Sequence, residues 1–176
     1  LGVRQAEALR DRWLAAPELA PDLLVSSEFP RARQTAEIIA PALGGREIVV
    51  EPGFNEHDPG EACDGMTMAD FVDRFGTGSW EEDPFGVTFP GGETLAAFHF
   101  RVGSTVRRLA DEHPEATIVV ACHGGVIDTV LRQARPPAPT GGAPRNDRNT
   151  PIAELALVRA PRRASRRHGP TAHPHR

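Results

Sequence analysis

The sequence predicts an α/β fold, a three-layer sandwich with helices on both faces of a mostly parallel sheet. Two observations lead to it. Short, uncharged, β-branched runs such as Thr117–Ala121 alternate along the chain with longer amphipathic segments. The runs are continuous rather than alternating, as strands covered on both faces are. In such a sheet, functional groups gather beyond the carboxyl ends of the strands. Ser26-Ser27, the segment after Val50 and Cys122-His123 all lie at such ends.

The elements follow in order. Val3, Ala6, Leu9 and Trp13 form one apolar stripe, which predicts a helix over residues 1–16 ended by Pro17. Asp22–Val25 reads as a buried strand and Ser26-Ser27 as a turn. Ala32, Ala36, Ile39 and Leu43 mark a second helix closed by Gly44-Gly45. Glu47–Val50 is the next strand, followed by a loop over residues 52–65. A short helix over 67–75 has Thr67 as its cap. Residues 76–92 suit an irregular excursion. The longest helix spans 93–113, with Leu95, Phe98, Val102, Val106 and Leu109 on one face and Pro114 as its stop. The strand at Thr117–Ala121 precedes a helix that Gly124-Gly125 opens and that runs through Leu131. Residues 135–151 read as a linker, 152–158 as a last strand, and 159–176 as a basic tail without packing pattern. The chain is therefore expected to hold one domain over 1–158.

Composition narrows the function classes. The chain has 176 residues with a net charge of −4, and residues 159–176 carry six arginines and no acid, so the rest stands at −10. An acidic body disfavours nucleic acid as a partner. No apolar run reaches the ~18–20 residues that span a bilayer. Two cysteines, Cys63 and Cys122, make neither a disulfide framework nor a metal-ligand spacing, and a cytoplasmic setting is expected. His168, His173 and His175 in the tail read as solvated rather than as a metal site.

Three residues carry candidate chemistry. Arg31 lies in the first turn of a helix that follows a strand, where free backbone N–H groups and a guanidinium fork can hold an anion. A solvated arginine would look the same. His123 closes a buried strand and precedes Gly124-Gly125, where a ligand can come close. It suits phosphate-oxygen donation or proton transfer near neutral pH, and equally a structural role. Glu56 sits in a loop that could fold over the same strand ends and act as general acid.

The surroundings of these residues resemble the histidine phosphatase superfamily, also called phosphoglycerate mutase-like. The resemblance rests on SSEFPRARQTAE at Ser26–Glu37 and on FNEHDPG at Phe54–Gly60, continued to Asp64-Gly65. It rests also on PGGET at Pro90–Thr94 and VVACHGG at Val119–Gly125. Gly2–Ala6 and Asn149–Ile152 add a first-helix and a last-strand match, so the resemblance runs over residues 2–158 in order. Glu28 stands where that family has proline, Pro59 where an aromatic is usual, and Cys122 where serine is usual.

What the resemblance implies is a phosphomonoester hydrolase that works through a phosphohistidine and needs no metal or cofactor. Arg31, His123 and Gly124 would hold the phosphoryl oxygens, and Glu56 with His123 would be catalytic. The ligand would be a small phosphorylated metabolite. A mutase-type phosphotransferase and a non-catalytic module that binds phosphorylated ligands are the alternatives. The short span between Glu56 and Pro90 favours a phosphatase over a mutase.

The family's nucleophile lies in an Arg-His-Gly motif after a first strand that precedes the Gly2–Ala6 helix. That strand has no counterpart in residues 1–176, and Arg167-His168-Gly169 lacks an apolar run before it. The chain is therefore expected to be inactive alone, and poorly stable because a central strand is absent.

Overall fold

A computed structural model describes residues 1–63, 65–76, 85 and 91–134. The strand expected at 152–158, the linker, the basic tail with its histidines, Arg167-His168-Gly169 and most of the 76–92 excursion lie outside the described residues.

The described chain runs α1 (Gly2–Ala15), β1 (Leu23–Ser26), α2 (Pro30–Ile39), β2 (Ile48–Val50), α3 (Met68–Phe75), α4 (Leu95–Glu112), β3 (Ile118–Ala121) and α5 (Gly124–Ala134). The three strands form a parallel sheet in the order β2-β1-β3. Leu24 pairs with Ile48 on one side and Val119 on the other, and Ser26 with Val50 and Ala121. Asp22 fastens the start of β1 to β3 by accepting the Thr117 N–H at 2.9 Å.

Successive side chains of β1 point to opposite faces, and this divides the core in two. Leu24, fully buried, packs with Trp13 of α1, Ile39 of α2 and Leu43. Val25, also fully buried, packs with Phe98, Val102 and Leu109 of α4, Val126 of α5 and Phe54. Helices thus cover both faces, as the continuous apolar runs predict. Cys63, Phe71 and Phe75 make a smaller cluster around α3.

Several boundaries differ from those expected, α5 for instance running on to Ala134, and three of the differences have a plain physical reason. The second helix stops being α-helical at Ile39 and continues as a 3-10 turn over Ala40–Leu43, because Pro41 has no N–H to give the α pattern. Gly44 at φ 80° then reverses the chain. Ser26 is the last residue of β1 rather than a turn, since both neighbouring strands extend far enough to pair with it. The long helix begins at Leu95 and not at Glu93: the Thr94 hydroxyl accepts the Ala97 N–H at 3.0 Å and sets the start. Thr67 caps α3 in the same way, as expected. No helix among the described residues is long and apolar enough to cross a membrane.

Candidate functional site

The carboxyl ends of β1, β2 and β3 converge on one small region. β1 delivers Ser26 and Ser27, both fully buried, and then Phe29 and Arg31 at the entrance to α2. β2 leads into a single 3-10 turn at Pro52–Phe54 and on to Asn55 and Glu56. β3 ends at Ala121 and is followed by Cys122, His123 and the first turn of α5.

His123 is 7% exposed. Its Nε2 lies 2.8 Å from Ser27 Oγ, and its ring meets the Phe29 ring edge-on at 5.3 Å between centroids. Arg31 lies with its guanidinium carbon 4.8 Å from the centroid of the same Phe29 ring, and its side chain is exposed. Burial pulls the His123 pKa below the ordinary histidine value; the Arg31 charge pulls the same way and Glu56 opposes it. Arg31 and Glu56 therefore both lie close enough to act on His123.

Glu56 is brought in by two backbone donors. Its Oε2 accepts the Gly125 N–H at 3.1 Å and its Oε1 accepts the His57 N–H at 3.0 Å. Gly125 belongs to the first turn of α5, where free N–H groups favour an anion. Glu56 can hold this position only because Gly125 has no side chain: a Cβ would run into its carboxylate, which would have to move away. Gly124, exposed, has nothing within 4 Å of a Cβ position. Gly124→Ala should therefore leave the fold and the Glu56 contact unchanged, whereas Gly125→Ala should expel Glu56 and lower any activity of the site by an order of magnitude or more. Thermal melts and activity of the two variants side by side check this, and equal behaviour would refute the packing.

Two features of the site had no role in the sequence reading. Asn55 Oδ1 accepts both the Ser27 hydroxyl at 2.9 Å and the Glu28 N–H at 3.1 Å. Arg101, halfway along α4, spends its guanidinium on the loop that carries Glu56. Its Nη1 donates to the carbonyls of Gly53 and Asn55, each at 3.0 Å, and its Nε and Nη2 meet Glu93 at 3.0 and 2.8 Å. Glu93 closes the loop from the other side, since its N–H donates to Asp58 O at 2.9 Å. Gly92 packs so tightly there that a Cβ would come within 2.7 Å of the Asp58 carbonyl oxygen. Asn55 and Glu93 stood inside recognisable motifs, but nothing in the sequence pointed Arg101 at that loop.

Cys122 lies between the end of β3 and His123. Burial pushes its thiol up to about 12, so it stays protonated and behaves as a small hydrophobe. Among the described residues no group of three His, Cys, Asp or Glu side chains is placed to hold a metal ion.

Comparison with known proteins places the chain in a family. The family model described as histidine phosphatase superfamily (branch 1) matches residues 1–159. The chain belongs to the histidine phosphatase superfamily. Within it, the chain is 29% identical over 140 residues to phosphoglycerate mutase-like protein 4 of Arabidopsis thaliana, covering 78% of this chain and 60% of that protein. It is 32% identical over 104 residues to phosphoserine phosphatase 1 of Hydrogenobacter thermophilus, covering 58% and 48%. Among solved structures, mycobacterial glucosyl-3-phosphoglycerate phosphatase in complex with VO3 superposes with a TM-score of 0.63 at 27% identity, over 76% of this chain and 66% of that one. A phosphoglycerate mutase from Bacillus anthracis shares the fold at 16% identity and a TM-score of 0.55, over 74% of this chain and 66% of that one. The chain thus spans between about half and three-fifths of the curated superfamily members it matches.

Proposed function

We propose that this chain supplies the phosphate-holding and leaving-group side of a phosphomonoester hydrolase site. The observation that carries this reading is the meeting of Arg31, His123 and Glu56 at three adjacent strand ends, with Glu56 anchored to the backbone of the turn that follows His123. Arg31, exposed at the head of α2, clamps phosphoryl oxygens, and His123 and the Gly124 backbone line the same oxygens. Glu56 gives a proton to the departing alcohol and takes one from the attacking water. Positive charge placed where the transferring group gathers negative charge is the main source of rate in such a reaction.

The covalent step needs an attacking histidine besides His123. The resemblance assigns it to an Arg-His-Gly segment, and we propose that a strand outside residues 1–176 contributes it. Phosphorylated small metabolites are the substrate class; relatives named for phosphoserine and for glucosyl-3-phosphoglycerate support that class. Hydrolysis is favoured over transfer between substrates by the short span from Glu56 to Pro90 in the sequence.

The test is an assay with a generic phosphomonoester in excess EDTA. Residues 1–176 alone should bind inorganic phosphate without turnover. The same residues joined to an Arg-His-Gly strand from a superfamily member should hydrolyse the ester. Turnover by residues 1–176 alone would move the nucleophile into this chain, with His168 the residue to replace next. Activity of the joined protein that EDTA abolishes would refute the metal-free mechanism.

A further inference from the structure

Behind the His123 ring runs a set of hydrogen bonds in which every donor is fixed. A backbone N–H can only donate, and that of Glu28 faces Asn55 Oδ1 at 3.1 Å. The amide must present its oxygen there, because its NH2 would set donor against donor. Ser27 Oγ lies 2.9 Å from the same oxygen, so the hydroxyl proton points at Asn55. The Phe29 N–H, at 3.2 Å, occupies one Ser27 lone pair. A hydroxyl has one proton, and it is already committed. Toward His123 Nε2, 2.8 Å away, Ser27 can only accept. The proton of that bond must sit on Nε2.

We infer that Ser27 and Asn55 are positioning residues that lock His123 in the Nε2-protonated form and leave Nδ1 as the nitrogen that meets a ligand. Among the described residues Nδ1 has no hydrogen-bond partner. Neutral His123 therefore offers a lone pair at Nδ1, which phosphoryl oxygens repel. It can donate there only as imidazolium. Capture of a phosphoryl group then draws one proton from solvent onto Nδ1, with no bond made or broken at phosphorus. Among the described residues, the charged groups that act on the ring are Arg31 from α2 and Glu56 from the loop after β2. Arg31 and burial hold the extra proton off the free site, and a bound dianion offsets Arg31. The lock stands on the hydrogen bonds alone. The proton uptake rests also on the phosphate-site reading above.

Nitrogen-15 NMR of histidine-labelled residues 1–176 tests both parts. At about pH 8, where an ordinary histidine is neutral, the unliganded protein should show His123 with a protonated Nε2 and a bare Nδ1. The opposite tautomer in the wild-type protein overturns the lock without any variant being needed. Ser27→Ala should shift His123 toward a tautomer mixture, Asn55→Leu should do so in part, and Ser27→Thr should keep the wild-type signature. A folded Ser27→Ala protein that retains pure Nε2–H overturns the role of Ser27. Adding inorganic phosphate near pH 7 should convert Nδ1 to its protonated signal and raise the His123 titration midpoint. Phosphate that binds while Nδ1 stays bare overturns the proton uptake. Phosphate that does not bind refutes the phosphate-site reading while the tautomer result still decides the lock.

Discussion

Arg31→Ala should weaken binding of inorganic phosphate by about 10–100-fold, and should lower turnover of the joined, competent protein by about 10²–10³-fold. The second figure is what loss of one well-placed donor to a developing oxyanion costs, ~2.7–4 kcal/mol. The first is smaller because a ground-state phosphate keeps part of its hydration at an exposed guanidinium. Stability should hardly change. The side chain is exposed and rests against the Phe29 ring, and cation–π contact at an exposed site is worth only about 0.5–1 kcal/mol. Arg31→Lys should fall between wild type and alanine, since an ammonium keeps the charge and loses the two-pronged geometry. Calorimetric titration of phosphate into the three proteins measures this. A change below threefold in the alanine variant would remove Arg31 from the site.

Arg101→Met should act in the reverse sense, on the fold first and on the site through it. Methionine keeps a long apolar side chain beside the Phe98 ring, whose centroid lies 5.2 Å from the guanidinium carbon, but removes every donor. Glu93, only 16% exposed, is left with an unpaired charge, and the Gly53 and Asn55 carbonyls lose their charged partner. Breaking a fully buried ion pair from one side costs about 3–5 kcal/mol. Arg101 itself is 29% exposed, so water can enter and we expect about 2–4 kcal/mol. Urea unfolding measures it. Arg101→Met combined with Glu93→Gln should recover part of the loss, because the stranded charge is then gone. A double variant no more stable than the single one would show that the carbonyl contacts, not the Glu93 charge, carry the effect.

The fold was legible because its strands are buried on both faces. Leu24 and Val25 sit side by side in the sequence and feed different halves of the core, which leaves a continuous apolar run rather than an alternating one. Caps were legible where a side chain makes them, as at Thr67. Boundaries set by a neighbour were not: Ser26 is in the sheet because β2 and β3 reach it. The same division holds at the site. Arg31, Glu56 and His123 could be found because strand ends are where an α/β sheet collects functional groups. The residues that orient them could not. Ser27 and Asn55 are 28 positions apart, and Arg101 reaches back 46 positions to the Asn55 carbonyl. Such contacts depend on how α4 lies across the turn after β2, and no local periodicity encodes that.

Arg101 has one more consequence, for how the molecule opens. Loops that carry reactive groups are commonly the first parts of a protein to detach, each in its own small cooperative unit. Here the Glu56 loop has given its outward carbonyls to a side chain rooted in the middle of the longest helix, and its far end is tied to Glu93 just before that helix begins. Detaching the loop would strand a half-buried guanidinium among empty acceptors. The loop and α4 should therefore open together as a single cooperative unit, the irregular backbone near the site sharing the helix's resistance to local unfolding.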